Sequence, residues 1–169
     1  MYFAKAHKIE KLASTDYARH PALTAPYLDL KDAASPMLVA TDGHALVALS
    51  VTTEDGDTEG AIPVEAIKQA RKCGAIGTPT IAANGACVLP NGVSIPRESV
   101  EFPNWRQLVP KAASDLRIIL NAELLKRIAD ALGSDTVELR FGTTPTADVI
   151  QVRAHDASIG FGLLMPARF

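Results

Sequence analysis

The sequence carries one pair of residues whose types and spacing suit acid–base chemistry, Asp42 and His44. A histidine beside a carboxylate can act as a general base, with the carboxylate orienting its imidazole ring. The alternative is that Asp42 caps its own turn and that His44 is a half-buried residue at the rim of a sheet. Neither a nucleophile nor a set of metal ligands stands nearby, which favours the structural alternative. We therefore expect no enzyme activity and no catalytic residues.

The pair lies between two apolar runs, residues 37–40 and 45–51. An Asp-Gly step between β-prone runs is a strong hairpin signal, because a type I′ turn needs positive φ at both central residues. The sequence therefore predicts a two-residue turn at Asp42-Gly43. In that hairpin Thr41 and His44 face each other next to the turn.

Composition limits the class of protein. The chain has 169 residues, of which 47% are hydrophobic and 21% charged, enough for one sizeable core or one core and a partial second. No apolar run approaches the roughly 20 residues that span a bilayer, and residues 1–8 lack the apolar core of a signal peptide. Cys73 and Cys87 form no CxxC pair, so we expect neither a zinc site nor a disulfide framework, no cofactor, and a cytoplasmic location.

Charge is distributed unevenly along the chain. The net charge of -2 argues against a simple basic nucleic-acid binder, yet the three predicted helices carry more basic than acidic residues and leave the rest of the chain acidic. Positive helices on a negative body fit a protein whose helices face a polyanion. The alternative is that Lys and Arg are simply favourable on exposed helix faces. The basic residues of these helices are Lys5, Lys8, Lys11, Lys68, Arg71, Lys72, Lys126 and Arg127, and the acidic ones are Glu10, Glu65, Glu123 and Asp130.

Three segments share one pattern, in which a short strand precedes a helix and about three strands follow. The third helix has the clearest signals, with Asn121 as N-cap, a 3.6-residue apolar stripe and Gly133 as its end. The predicted helices cover residues 5–14, 63–72 and 122–132. The predicted strands cover residues 2–4, 27–31, 37–40, 45–51, 61–62, 80–83, 86–89, 93–95, 116–120, 137–141, 149–154 and 161–165, with an extended connector at 102–110.

One such unit cannot bury both faces of its sheet alone, so we expect the units to pair sheet to sheet. Three units then give one and a half domains of α+β class. The predicted boundary separates residues 1–110 from residues 111–169.

Three stretches also carry a resemblance to a known family. The A-T-D-G-H segment at residues 40–44, followed by Leu46, resembles A-T-D-G-H-R-L of the bacterial replicative sliding clamp, the β subunit of DNA polymerase III. F-P-N-W-R-Q-L-V-P at 102–110 is similar to the F-P-D-Y-x-x-V-I-P that closes the clamp's middle domain. L-M-P-A-R at 164–168 is similar to the clamp's terminal V-M-P-M-R. Because all three occur in the same order, the chain is identified as a shortened clamp relative.

The resemblance implies a DNA-clamp (processivity) fold. Residues 1–110 resemble the complete middle domain, and residues 111–169 resemble the second half of the last domain. The first domain and the first half of the last have no counterpart in this sequence, which is its largest departure from the family.

The resemblance also implies a function, that of a sliding-clamp-like DNA replication and processivity factor. Such clamps form oligomeric rings around duplex DNA and contact its phosphates through helix-borne cations, without sequence preference. Four copies of a three-unit chain would supply the twelve half-units of the family's ring, so a homo-oligomer is expected. By helix position the DNA-facing residues are Lys8, Lys11, Lys68, Arg71, Lys72, Lys126 and Arg127.

Clamps also dock polymerases and clamp-loader proteins through short peptides with apolar anchors, which enter a cleft between the middle and last domains. In two places this chain has a smaller side chain at the rim, Ala45 for Arg and Ala167 for the second Met. The alternative function is a non-ring relative, of phage or mobile-element type, that binds such peptides or replication proteins without encircling DNA. Carried over by motif, the peptide cleft comprises Thr41, Gly43, His44, Leu46, Pro110, Leu163, Met165, Pro166 and Arg168.

Overall fold

The computed structural model describes residues 1–73, 80–109, 118–144, 148–155 and 160–167. Its internal contacts divide the chain into two units, Met1–Leu108 (unit 1) and Val109–Phe169 (unit 2). In these ranges every strand pair is antiparallel. Each α-helix lies between groups of strands along the chain and does not alternate with single strands. This is the α+β class that the sequence predicts.

Unit 1 contains two antiparallel sheets and one α-helix. The first sheet has the order β3-β2-β1-β4, and the second has the order β5-β6-β7. The sequence predicts turns at Asn84-Gly85 and Asn91-Gly92. In the structure Gly85 lies between β5 and β6, and Asn91-Gly92 lies between β6 and β7. The elements are β1 (Tyr27–Asp29), β2 (Met37–Thr41), β3 (Leu46–Ser50), β4 (Gly60–Ala61), α1 (Val64–Cys73), β5 (Ala82–Asn84), β6 (Ala86–Val88) and β7 (Ser94–Pro96).

A single core joins the two halves of unit 1. Leu28 and Leu38 from the first sheet and Ile67 and Ala70 from α1 are all fully buried in one cluster. The sequence predicts an apolar stripe at Val64, Ile67 and Ala70 of this helix. The structure confirms Ile67 and Ala70, whereas the first turn buries Ala66 more deeply than Val64. Neighbouring half-units therefore share their apolar surface, as expected for segments that cannot form a core alone.

The first predicted helix is wrong. Residues 5–14 contain only a 3₁₀ turn at Ile9–Leu12, which packs against α1 and β3. Lys8 precedes this turn and offers no side-chain cap, and Ser14 and Asp16 follow within a turn. A short segment without a cap cannot offset the cost of helix nucleation.

In its described residues unit 2 contains one helix and one three-stranded sheet of order β10-β9-β8. The caps are confirmed: the Asn121 side chain accepts hydrogen bonds from two backbone N–H groups of the first turn, and Gly133 is left-handed at φ 66°. Of the strand predicted at 116–120, residues 116–117 lie outside the described ranges and 118–120 form no strand. The elements are α2 (Ala122–Leu132), β8 (Val137–Arg140), β9 (Ile150–Ala154) and β10 (Gly162–Leu164).

The connector that closes unit 1 is extended up to residue 104 and then forms a 3₁₀ turn, Trp105–Leu108. None of the helices in the described ranges has the length and apolar composition needed to cross a bilayer. Across the same ranges His, Cys, Asp and Glu side chains form no group that could hold a metal ion.

Candidate functional site

The loop between β2 and β3 differs from the predicted turn. Thr41 pairs with Leu46 across the ladder, so the loop contains the four residues 42–45 and Thr41 does not face His44. A type I′ turn is excluded because Gly43 has φ +92° but Asp42 does not have positive φ. Side-chain hydrogen bonds to the backbone hold the wider loop, and propensity alone does not predict them.

Asp42 and Thr41 fix this loop. The Asp42 carboxylate accepts hydrogen bonds from the backbone N–H groups of His44 and Ala45, both at 2.8 Å. The Thr41 hydroxyl donates to the Ala45 carbonyl at 2.6 Å and accepts from the Gly43 N–H at 3.0 Å. The hydrogen bonds from Ala45 and His44 lower the pKa of Asp42. Asp42 therefore caps its own turn, and His44 is exposed rather than half-buried.

The residues carried over for the peptide cleft lie in both units. In unit 1 Thr41 is 8% exposed, Leu46 is half-buried, and Gly43 and His44 are exposed. Thr41 therefore supports the loop rather than presenting its side chain to a ligand. That these residues of unit 1 and those of unit 2 line one common cleft stays a prediction.

In unit 2 Leu163 and Met165 are 61% and 50% exposed, whereas Pro166 is buried. Pro110 and Arg168 lie outside the described residues.

A groove of about 570 Å³ lies between α2 and the edge strand β10. Leu163 and Met165 line it together with Phe161, which is 54% exposed and which the sequence did not indicate as a site residue. Alternate residues of a strand share one face, so the i, i+2, i+4 spacing of these three apolar residues was the available signal. The groove is also lined by Leu124, Arg127, Ile128, Ala131, Leu132, Gly162 and Leu164.

Most of the predicted DNA-facing cations of unit 1 are exposed, with one exception. Arg71 donates hydrogen bonds to both carboxylate oxygens of Glu10 in a bidentate ion pair, and its side chain is only 16% exposed. Burial raises the pKa of Glu10, but hydrogen bonds from Arg71 and the backbone outweigh it and lower that pKa on balance. Arg71 thus joins the Ile9–Leu12 turn to α1, and its charge is partly neutralised. The exposed cations are Lys8, Lys11, Lys68 and Lys72.

On α2 both predicted cations are exposed. Lys126 forms an ion pair with Asp130 one turn later, at 2.8 Å, and the hydrogen bond from this pair raises the pKa of Lys126. Arg127 lines the rim of the unit 2 groove. The assignment of these cations to DNA stays a prediction.

A buried polar cluster that the sequence did not indicate anchors the connector of unit 1. Asp29 on β1 is 3% exposed and accepts hydrogen bonds from Trp105 Nε1 at 2.7 Å and Arg106 Nε at 3.1 Å. Phe102 stacks on Tyr27 with ring centroids 4.9 Å apart. The F-P-N-W motif therefore has a structural role, which is to attach the connector to the first sheet.

No protein-family model matches the chain, and no curated protein matches it significantly. Solved structures do match. The β sliding clamp of Caulobacter crescentus, with polyethylene glycol bound at its proposed β-motif tethering region, is 18% identical with a TM-score of 0.66, over 94% of this chain and 46% of that one. The sliding clamp of Bacillus subtilis is 17% identical with a TM-score of 0.71, over 95% and 46%. The clamp of Bartonella birtlesii bound to griselimycin is 15% identical with a TM-score of 0.61, over 100% and 66%.

The match extends over nearly all of this chain but only about half of the first two clamps. At this level of identity the similarity concerns the fold. It agrees with the antiparallel sheets and the α+β class of the described residues. The chain therefore has the fold of the bacterial DNA polymerase III β sliding clamps, in a shortened form.

Proposed function

We propose that the chain is a clamp-like tethering protein and not an enzyme, which docks short peptide motifs of replication proteins in an apolar cleft and associates with duplex DNA. The observation that carries the proposal is the exposure of Leu163 on a clamp-fold edge strand, β10, and of Met165 directly after it. These residues correspond by motif to the end of a sliding clamp. Large apolar side chains are rarely left exposed side by side without a binding role.

The groove beside β10 has suitable dimensions and chemistry for apolar anchors. Its volume of about 570 Å³ lies within the range of small ligand pockets. The flexible thioether of Met165 can adapt to different anchor side chains. Arg127 supplies positive charge at the groove. The guanidinium of Arg153 lies 5.8 Å from the ring centroid of Phe161, one of the groove residues. We therefore expect a peptide with Leu or Phe anchors and an acidic residue nearby.

The expected affinity is low. Burial of two apolar anchors contributes roughly 3–6 kcal/mol before the cost of association, so an isolated peptide should bind at around micromolar Kd. His44 and Leu46 of unit 1 would add contacts only if the two units come together around the peptide.

The test is a titration of a clamp-binding peptide into the wild type and into Met165→Ala. We expect about a tenfold or greater loss of affinity in this variant, since truncating a buried Met costs roughly 1.5–3 kcal/mol. Val88→Ala is the control, because Val88 is also an exposed apolar strand residue (41%) but lies in unit 1. Equal affinity of Met165→Ala and wild type, or no binding to either, would contradict the docking proposal.

The DNA part of the proposal rests on the exposed lysines of α1 and of the Ile9–Leu12 turn. These two elements pack against each other. Contacts of this kind bind phosphates without sequence preference and weaken as salt increases. If copies form a closed ring, the protein should stay on circular duplex and slide off linear duplex. Peptide binding without a preference for circular DNA would instead favour the non-ring alternative.

A further inference from the structure

Unit 1 shows how two half-units of this fold are joined. The strand that precedes α1 leaves its own half and pairs with the other half, since β4 pairs with β1 of the first sheet. The reverse exchange also occurs: Tyr2 forms an antiparallel bridge to Thr80, and the Met1 carbonyl accepts a hydrogen bond from the Ile81 N–H at 3.0 Å. Each half-unit therefore supplies the strand before its helical segment to the sheet of its partner.

The helices of the two units correspond residue by residue at their start. V-E-A-I-K begins α1 at residue 64, and A-E-L-L-K begins α2 at residue 122. This equivalence aligns Ala66 with Leu124 and Ala70 with Ile128. Ala66 and Ala70 are both fully buried in the shared core of unit 1, where the other half-unit covers them.

Among the described residues of unit 2, neither the strand exchange nor the helix cover of unit 1 has a counterpart. Leu124 is 40% exposed, Ile128 is only half-buried, and no residue of α2 is buried. The strand β8, which occupies the place of β1, is an edge strand. Its inward side chains Val137 and Leu139 are half-buried, whereas Leu28 on β1 is fully buried.

Residues 118–120 also match the role of β4, because they precede α2 directly. The Ile119 carbonyl accepts a hydrogen bond from the Ala167 N–H at 2.8 Å. In an extended segment the backbone groups of successive residues point to opposite edges. When residues 118–120 are extended as a strand, the backbone groups of Ile118 and Leu120 therefore point to the edge opposite Ala167, where another strand could pair.

We propose that two copies of the chain join through unit 2 by reciprocal exchange of residues 118–120. Each copy adds this segment to the outer edge of the other's β8, and the two α2 helices cover each other around Leu124. The two copies of unit 2 then form one complete clamp-like domain.

The geometry favours a second copy of the chain as the partner, since two copies of unit 2 would pair in the same way as the two half-units of unit 1. Every copy offers one donor segment and one acceptor edge, which is the condition for a closed two-fold interface. Edge strands and apolar helix faces of this kind are normally covered in native proteins. The inference depends on the fold and needs neither peptide nor DNA. Leu124 also lines the groove beside β10, so the dimer contact and a bound peptide share this side chain.

The test is sedimentation of the full chain over a range of concentrations. We expect a dimer at tens of micromolar, unaffected by high salt because the contact is apolar. Leu124→Glu should weaken the dimer at least a hundredfold. It occupies the third helical position after Asn121, where Glu suits a helix start, so α2 should be retained. Ala122→Glu is the matched control, with the same change of charge about 200° around the helix, and it should remain dimeric.

A second measurement covers the case in which Leu124→Glu unfolds. Amide exchange of Val137–Arg140 in the wild type should slow as concentration rises, and Leu124→Ala should reduce that effect. A wild type that stays monomeric at high concentration would overturn the proposal. So would a dimer that both Leu124 variants leave unchanged, or β8 exchange that does not depend on concentration.

Discussion

Substitution of Asp29 tests whether the connector is held by its buried polar cluster. The Asp29 side chain is 4% exposed, and its carboxylate accepts hydrogen bonds from Trp105, Arg106 and the Lys31 backbone N–H at 2.9 Å. In Asp29→Ala the buried indole N–H loses its acceptor, and the partly exposed guanidinium loses its counter-charge.

The magnitude follows from these contacts. A hydrogen bond to a charged group contributes about 1.5–3 kcal/mol, and an orphaned buried donor costs about 1–3 kcal/mol. The Arg106 pair adds little, because its guanidinium side chain is 35% exposed. We expect Asp29→Ala to lower the free energy of unfolding of unit 1 by about 2–4 kcal/mol. Asp29→Asn keeps the shape and one acceptor, so its cost should be about 1–2 kcal/mol.

Trp105 is the single tryptophan of the chain, so its fluorescence reports on the cluster during urea unfolding. Asp32→Asn is the control: Asp32 lies three residues further on and accepts an exposed hydrogen bond from the Ala34 N–H. It should change stability by less than about 0.5 kcal/mol. An Asp29→Ala protein as stable as the control, with an unchanged fluorescence maximum, would refute the reasoning.

The same cluster gives a pH dependence. Burial raises the pKa of Asp29, but hydrogen bonds from Arg106, the Lys31 N–H and Trp105 outweigh it and hold the pKa below its ordinary value of 3.8. A group with a lowered folded pKa contributes stability above its unfolded pKa and loses it as pH falls through the folded value. The stability difference between wild type and Asp29→Asn should therefore be constant near neutral pH and shrink below about pH 4.

Three further predictions concern DNA, thiols and helix caps. Lys68→Glu with Lys72→Glu should weaken retention on circular duplex and reduce its salt dependence in a filter-binding titration, and unchanged retention would contradict the DNA assignment. Burial raises the pKa of Cys87 to about 11, so a thiol reagent near pH 8 should modify half-buried Cys73 first and Cys87 only after unfolding, as mass spectrometry would show. Asn121→Ala removes two hydrogen bonds at the start of α2 and should destabilise unit 2 by about 1 kcal/mol in thermal unfolding; no change would contradict the capping role.

The sequence by itself determined the features that depend on residues close together in the chain. The caps of α2 at Asn121 and Gly133, the apolar stripe at Ile67 and Ala70, and the α+β class follow from local propensity and periodicity. Motif resemblance likewise predicted the clamp fold, which the comparisons with solved structures confirm.

Tertiary structure decided the features that depend on distant partners. The ion pair of Arg71 with Glu10 spans 61 residues, and the hydrogen bond of Trp105 to Asp29 spans 76. No local pattern encodes contacts across such sequence separations, so the sequence predicted only a DNA-facing role for Arg71. It also missed the anchoring of the connector.

The conformation of the β2–β3 loop and the partial exposure of the apolar face of α2 were also decided by the tertiary structure. The sequence indicated a turn at Asp42-Gly43, but competition between backbone pairing and the Asp42 and Thr41 side chains selected the wider loop. Periodicity predicted the apolar face of α2. Only the tertiary structure reveals that this face is partly uncovered, because burial depends on which other elements pack against it.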